Sequence, residues 1–155
     1  MAPLVILVVC FVFALILNKS LLKERFSLSF IGRVSLAVML IFTGIAHFIK
    51  TDLMIEMIPN IVPFKMGFVY LTGCLEIAAS IGLLIQKLSK FTSVMLMLFF
   101  IAILPANIIG SIKEVELGGM QHGVYYLYFR IPMQLLFITW AYYFGIIKNK
   151  MPEKQ

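Results

Sequence analysis

Residues 66–85 read MGFVYLTGCLEIAASIGLLI and carry a single charged side chain, that of Glu76. A helix of about 20 apolar residues is long enough to cross the hydrocarbon core of a bilayer. This stretch therefore predicts a transmembrane helix with a carboxyl group near its middle. Four further apolar stretches flank it, at residues 2–17, 29–48, 91–109 and 125–147. Together they predict an all-α transmembrane helical bundle of five spans, the first of them the shortest.

The composition indicates that lipid, and not water, surrounds most of the outer side chains. Of the 155 residues, 62% are hydrophobic and 13% are charged, whereas a soluble domain is about half apolar and a quarter charged. The net charge is +6, but the basic residues lie mostly in short loops. That placement favours membrane orientation and anionic lipid contact, and we expect no nucleic-acid partner.

The basic residues alternate along the chain in a way that sets the orientation. They follow the first span, separate the third from the fourth and fill the tail, whereas the remaining loops balance lysines with acidic residues. Cytoplasmic loops carry the excess of Lys and Arg. We therefore predict a multi-pass protein of the bacterial cytoplasmic membrane with its N-terminus outside and its C-terminus in the cytoplasm.

The apolar stretches and the basic residues between them also predict a domain organisation. Residues 1–28 are predicted to form a transmembrane helix with a basic cytoplasmic linker, 29–147 a four-helix bundle, and 148–155 a basic cytoplasmic tail. The outer loop at 52–63 combines apolar residues with two prolines. It is predicted to lie at the interface or to fold back over the bundle.

Two ionisable residues at membrane depth point to a site, because charges there are costly. Glu76 lies about 15 Å from either end of its span at 1.5 Å per residue, so an unpaired carboxylate is expected to take up a proton. Arg130 lies near the outer end of the fifth span and cannot shed its charge. We predict that the two side chains meet in a dry pocket that opens to the outer face.

Other polar residues extend this cluster over four helices. The predicted ligand-binding residues are His47, Thr72, Glu76, Asn107, Arg130 and Gln134. They lie in the outer half of the bundle, and the inner half is predicted to hold no comparable set. Two interpretations stay open: a buried pair that fixes helix register, or a ligand, quinone or proton site.

The positions of the cysteines and methionines do not indicate a metal site or a reactive thiol. Cys10 and Cys74 lie in apolar segments without a CxxC, which is typical of small buried side chains. The ten methionines form no Met/His ladder, so no metal is expected. No nucleophile–base pair or phosphate-binding loop is present, and we expect no independent catalysis.

Several short motifs together resemble the DoxX and DoxX-like membrane proteins. They are GIAHF at 44–48, MIP at 57–59, YLTG at 70–73 followed by Glu76, PAN at 105–107 and RIPMQ at 130–134. The resemblance covers about residues 30–147 and implies a four-helix core, to which the first span is an addition. The family positions matched here are His47, Glu76, Asn107, Arg130 and Gln134.

What the resemblance implies about function is broad. Some members are associated with oxidoreductase systems, including a subunit of a thiosulfate:quinone oxidoreductase and small proteins linked to thiol or quinone stress. Distant eukaryotic relatives act as receptor-assembly chaperones. The missing CxxC counts against direct dithiol chemistry in this chain.

Three hypotheses follow from the residues and the resemblance. The first is an accessory membrane component of a redox system that binds a quinone or a similar molecule, with Arg130, Asn107 and Gln134 as donors. In it, Glu76 passes a proton and His47 is the outlet. The second is a non-enzymatic assembly factor, and the third is a small transporter or channel subunit. Expected partners are the bilayer, a redox protein or membrane complex, and a second copy of the chain.

Overall fold

A computed structural model describes residues 2–148, and within that range the chain is helical and contains no β-strand. A 3₁₀-helix at Met120–Tyr126 precedes the last α-helix, and a π-helical turn at Tyr143–Ile147 follows it. The α-helices are α1 Ala2–Ser20, α2 Leu28–Ile49, α3 Thr51–Glu56, α4 Lys65–Leu84, α5 Gln86–Ile112 and α6 Leu127–Tyr142. Of the predicted tail at 148–155, residues 149–155 lie outside the described residues.

Four of these helices, α1, α2, α4 and α5, are long and apolar enough to cross a membrane. The predicted all-helical membrane architecture is confirmed to that extent. The fourth predicted span was too short, because α5 begins at Gln86 and not at residue 91. A single extended residue, Ile85, joins it to α4, so Lys87 and Lys90 lie in the first turns of α5 and not in a loop.

The fifth predicted span consists of several helical pieces. The α-helix α6 is 16 residues long, and the π-helical turn continues it to Ile147. Its far end reaches the start of α2, where the Trp140 Nε1 group donates to the carbonyl of Gly32 at 3.0 Å. The Ser29 hydroxyl donates to the Phe144 carbonyl there at 2.7 Å. Whether this segment is a fifth membrane span stays a prediction.

The loop predicted to lie at the interface or over the bundle folds back over it. Helix α3 and the residues after it cover the ends of α2 and α5, with Met57 packed against Gly110 and Met120. The Lys113 ammonium donates to the carbonyl of Glu56 at 2.8 Å and ties this cover to the end of α5. The segment therefore forms a roof over one end of the bundle, which we call the cavity end.

Glycine contacts bring α2 and α4 together beneath this roof. A Cβ atom added at Gly44 would lie 3.1 Å from the Gly73 carbonyl oxygen, and one added at Gly73 would lie 2.7 Å from the Cβ of His47. No larger residue fits at this crossing without separating the helices. The close approach places the side chains that follow Gly44 and Gly73 next to one another.

Candidate functional site

A cavity of about 680 Å³ lies at the cavity end, between α2, α4, α5 and α6. Its wall is mostly apolar and includes the methionines of the roof. All six predicted site residues line it: His47, Thr72, Glu76, Asn107, Arg130 and Gln134. Four helices thus bring together residues that are up to 87 positions apart in the sequence.

Glu76 and His47 face one another in the cavity wall. The His47 Nε2 atom lies 3.7 Å from the Glu76 Oε1 atom, and the two side chains are 17% and 6% exposed. The Gly44–Gly73 crossing sets this proximity, since His47 comes one turn after Gly44 and Glu76 one turn after Gly73. The sequence placed His47 at the outlet, whereas the structure places it directly beside the carboxyl group.

The hydrogen bonds of His47 fix the orientation of its ring. Its Nδ1 atom lies 3.0 Å from the Val69 carbonyl oxygen and 3.1 Å from the Thr72 hydroxyl. Because a carbonyl only accepts, Nδ1 carries the hydrogen in this contact. The Nε2 atom is then the one that can exchange a proton with Glu76. Thr72 orients the ring and has a positioning role.

Arg130 bonds to Asn107 and not to Glu76. Its Nη2 group donates to the Asn107 Oδ1 atom at 2.9 Å, and the side chain of Tyr126, one turn earlier, interacts with the same guanidinium. Within residues 2–148 Arg130 makes no ion pair with Glu76, so the predicted contact pair is wrong. The two side chains line the same cavity without touching.

Gln134 is turned toward α5. Its amide nitrogen donates to the Phe100 carbonyl at 2.6 Å, so this bond ties α6 to α5 at the floor of the cavity. Sequence spacing placed Gln134 on the face of Arg130 and at the depth of Glu76. Spacing along one helix cannot show which neighbouring backbone carbonyl the amide reaches.

Three polar atoms of the cluster are buried without a hydrogen-bond partner among the described residues. They are the Glu76 Oε2, Asn107 Nδ2 and Arg130 Nε atoms. A buried polar atom without a partner costs about 1–3 kcal/mol, and most native structures contain few of them. All three lie in the wall of the same cavity.

Sequence reasoning missed a second polar region, at the opposite end of the bundle. Arg33 is 1% exposed, and its Nη2 group donates to the Gln86 side-chain oxygen at 2.7 Å. Buried serines surround this end, which we call the serine end: Ser29, Ser35, Ser80, Ser89 and Ser93. The prediction that the inner half holds no comparable polar set is therefore wrong.

The reason for this miss is that serines barely lower the hydropathy of a helix. Arg33 looked like one more basic residue near a span end. The spacing of Ser89 and Ser93, one turn apart on α5, was the signal that could have shown a buried small-residue face.

Comparison with protein families shows that most of the bundle matches one family model. A family model described as "Domain of unknown function (DUF8561)" matches residues 36–145. The chain belongs to the DUF8561 family. The DUF8561 region contains all six cavity residues named above, whereas α1 and Arg33 precede it. No curated protein and no solved structure matches the chain.

Proposed function

We propose that this DUF8561 protein binds a small, mostly apolar molecule with carbonyl or hydroxyl oxygens, as a quinone does, and serves as an accessory component of a redox system in the membrane. The observation that carries the proposal is the cavity wall itself, in which Glu76, Asn107 and Arg130 hold buried polar atoms without partners. The resemblance to DoxX-like proteins supports the same class of ligand.

The size and lining of the cavity suit such a ligand. Small-molecule pockets measure about 300–1,000 Å³ and combine apolar walls with a few convergent polar groups. At about 680 Å³, this cavity has room for a substituted aromatic ring. The apolar wall excludes water, and this strengthens each hydrogen bond made inside it.

The roles of the polar residues follow from their hydrogen-bonding capacity. The Asn107 amide and the Arg130 guanidinium are donors that suit a carbonyl oxygen. Glu76 can accept a hydrogen bond from a hydroxyl group or give a proton to a reduced oxygen. His47 relays that proton through Nε2, since its Nδ1 is held by the Val69 carbonyl.

The predicted topology determines which side of the membrane the cavity faces. With α6 and its π-helical turn as a fifth span, the cavity end faces the outside of the cytoplasmic membrane and the serine end faces the cytoplasm. Protons would then exchange with the outer side. Electrons would come from a partner protein, because the proposal gives this chain no catalysis of its own.

A second candidate is an assembly factor in which the cluster is structural. The bonds from Arg130 to Asn107 and from Gln134 to the Phe100 carbonyl favour it, because both join α6 to α5. Under this candidate, Glu76→Gln and Arg130→Met each lower the melting temperature. Replacing both residues together with apolar ones would restore it.

The test is binding of a decyl-substituted benzoquinone to the purified protein, measured by thermal shift and by equilibrium titration. We expect Arg130→Met to weaken binding of the quinone, and Glu76→Gln to weaken binding of the reduced quinol, whose hydroxyl group donates to the carboxylate, each by about 10- to 100-fold, as expected for a lost hydrogen bond to a charged group. The control is Glu56→Gln, the same change at an exposed carboxylate of the roof. Absence of quinone binding, or equal loss in all three variants, contradicts the proposal.

A further inference from the structure

We infer that the ligand enters the cavity sideways from the bilayer, between α4 and α5, and carries an apolar chain that remains in this gap. The inference rests on the proposed function and adds a route and a chemical class. The ligand would be an amphiphile, with a polar carbonyl-bearing head and a tail dissolved among the lipid chains.

The first observation is that the same residues form the inner wall and the outer surface on this side. Phe68 of α4 lines the cavity and is 46% exposed. On α5, Ala102 and Pro105 line the cavity and are exposed as well. Two neighbouring helices thus carry cavity-lining residues that are also exposed, and there we place the mouth of the cavity.

The second observation is that the two helices are tightly joined only at the serine end. There they are linked by the single residue Ile85, and a Cβ atom at Gly82 would collide with Thr92. Toward the cavity end, α5 presents Ala102 and Ala106, one turn apart, to the cavity. Their methyl groups leave a space between the helices that a larger side chain would fill.

The third observation is that the roof covers the end of the bundle next to the cavity. The roof closes the end of the bundle through Met57, which is 8% exposed, and through its contacts with Gly110 and Met120. A ligand from the water phase would have to displace the roof, whereas one from the bilayer would not.

The position of the polar atoms fits a head-first approach from the mouth. Thr72 and Glu76 follow Phe68 by one and two turns on α4, and Asn107 follows Ala106 on α5. A head that passes between Phe68 and Ala102 therefore meets the carboxyl group and the amide inside. The chain behind it lies against the apolar side chains of the mouth and adds affinity by burial.

The test narrows the mouth and compares two probes with one headgroup. The probes are a methoxylated benzoquinone without a side chain and the same ring with a decyl chain. The variant is Ala102→Trp, which adds an indole at an exposed position, and the control is Ile101→Trp, at the neighbouring exposed position outside the cavity wall. Equilibrium titration of the unaltered protein, the variant and the control with each probe gives six affinities.

We expect Ala102→Trp to lower the affinity for the decyl probe by about tenfold or more, which corresponds to losing the burial of about two methylene groups. Affinity for the ring alone should stay within about twofold in the same variant, and Ile101→Trp should change neither. A decyl affinity that is unchanged in Ala102→Trp overturns the inference and leaves the proposed function standing. Failure of both probes to bind the unaltered protein contradicts the proposed function, and the inference with it.

Discussion

The two ends of the bundle bury polar side chains in different ways. At the serine end, each of five buried hydroxyls donates to a backbone carbonyl, for example Ser89 to Gln86 and Ser93 to Ser89. At the cavity end, Glu76, Asn107 and Arg130 each keep a buried polar atom without a partner among the described residues. The serine end is dense, whereas the cavity end contains about 680 Å³ of space.

The difference bears on the proposal that the cavity end serves a ligand. A serine whose hydroxyl bonds to the backbone of its own helix behaves as a small residue and lets neighbouring helices approach. An amide, a guanidinium and a carboxyl group with free bonding capacity lower stability unless something else satisfies them. Helix packing alone does not explain the cavity end.

The largest stability effect is expected from added volume at the serine end. A Cβ atom at Gly145 would overlap Ser93, so Gly145→Ala should lower the free energy of unfolding by about 1–3 kcal/mol. Denaturant unfolding in detergent measures it. The control is Gly67→Ala at the cavity end, where the nearest atom to the added Cβ lies 4.0 Å away. That change should be neutral or should stabilise α4 by up to about 1 kcal/mol.

This pair of variants also tests the contrast between the ends. Gly145→Ala should leave quinone affinity within about twofold, because the serine end lies outside the cavity wall. Equal destabilisation by both changes would mean that the loss at Gly145 does not come from overlap with Ser93.

The smallest effect is expected from a single serine hydroxyl. Ser93→Ala removes the 2.8 Å bond to the Ser89 carbonyl, and such a bond inside a membrane bundle contributes about 0.6 kcal/mol. The melting temperature of the purified variant measures it. A loss of several kcal/mol would show that the serine end depends on its hydroxyls and not on their small size.

Much of the fold was predictable, because hydropathy reports the helices directly. Spans at α1, α2 and α4 were placed to within three residues at each end. The tight α4–α5 turn at Ile85 was not predictable. Lys87 and Lys90 looked like loop residues, although they lie on the exposed part of α5. The broken last helix also escaped, since Tyr143–Ile147 is as apolar as the α-helix that precedes it.

The membership of the site was predictable, but its pairing was not. Polar residues at membrane depth are few, so six of them could be named from position alone. Which atoms meet depends on helix rotation and on the Gly44–Gly73 crossing. This contact brings His47 to Glu76 and leaves Arg130 to bond with Asn107.

The most direct test of the account is the melting temperature of Glu76→Met, measured without ligand and with the reduced, quinol form of the decyl benzoquinone. The account predicts that, without the quinol, the variant melts at or above the temperature of the unaltered protein, because a carboxylate with an unpartnered oxygen is replaced by an apolar side chain of similar length. It also predicts that the quinol raises that temperature by less than it does in the unaltered protein, because its hydroxyl group no longer meets a carboxylate. A variant that melts several degrees lower on its own, or that responds to the quinol as fully as the unaltered protein does, would contradict the claim that Glu76 serves a ligand and not the fold.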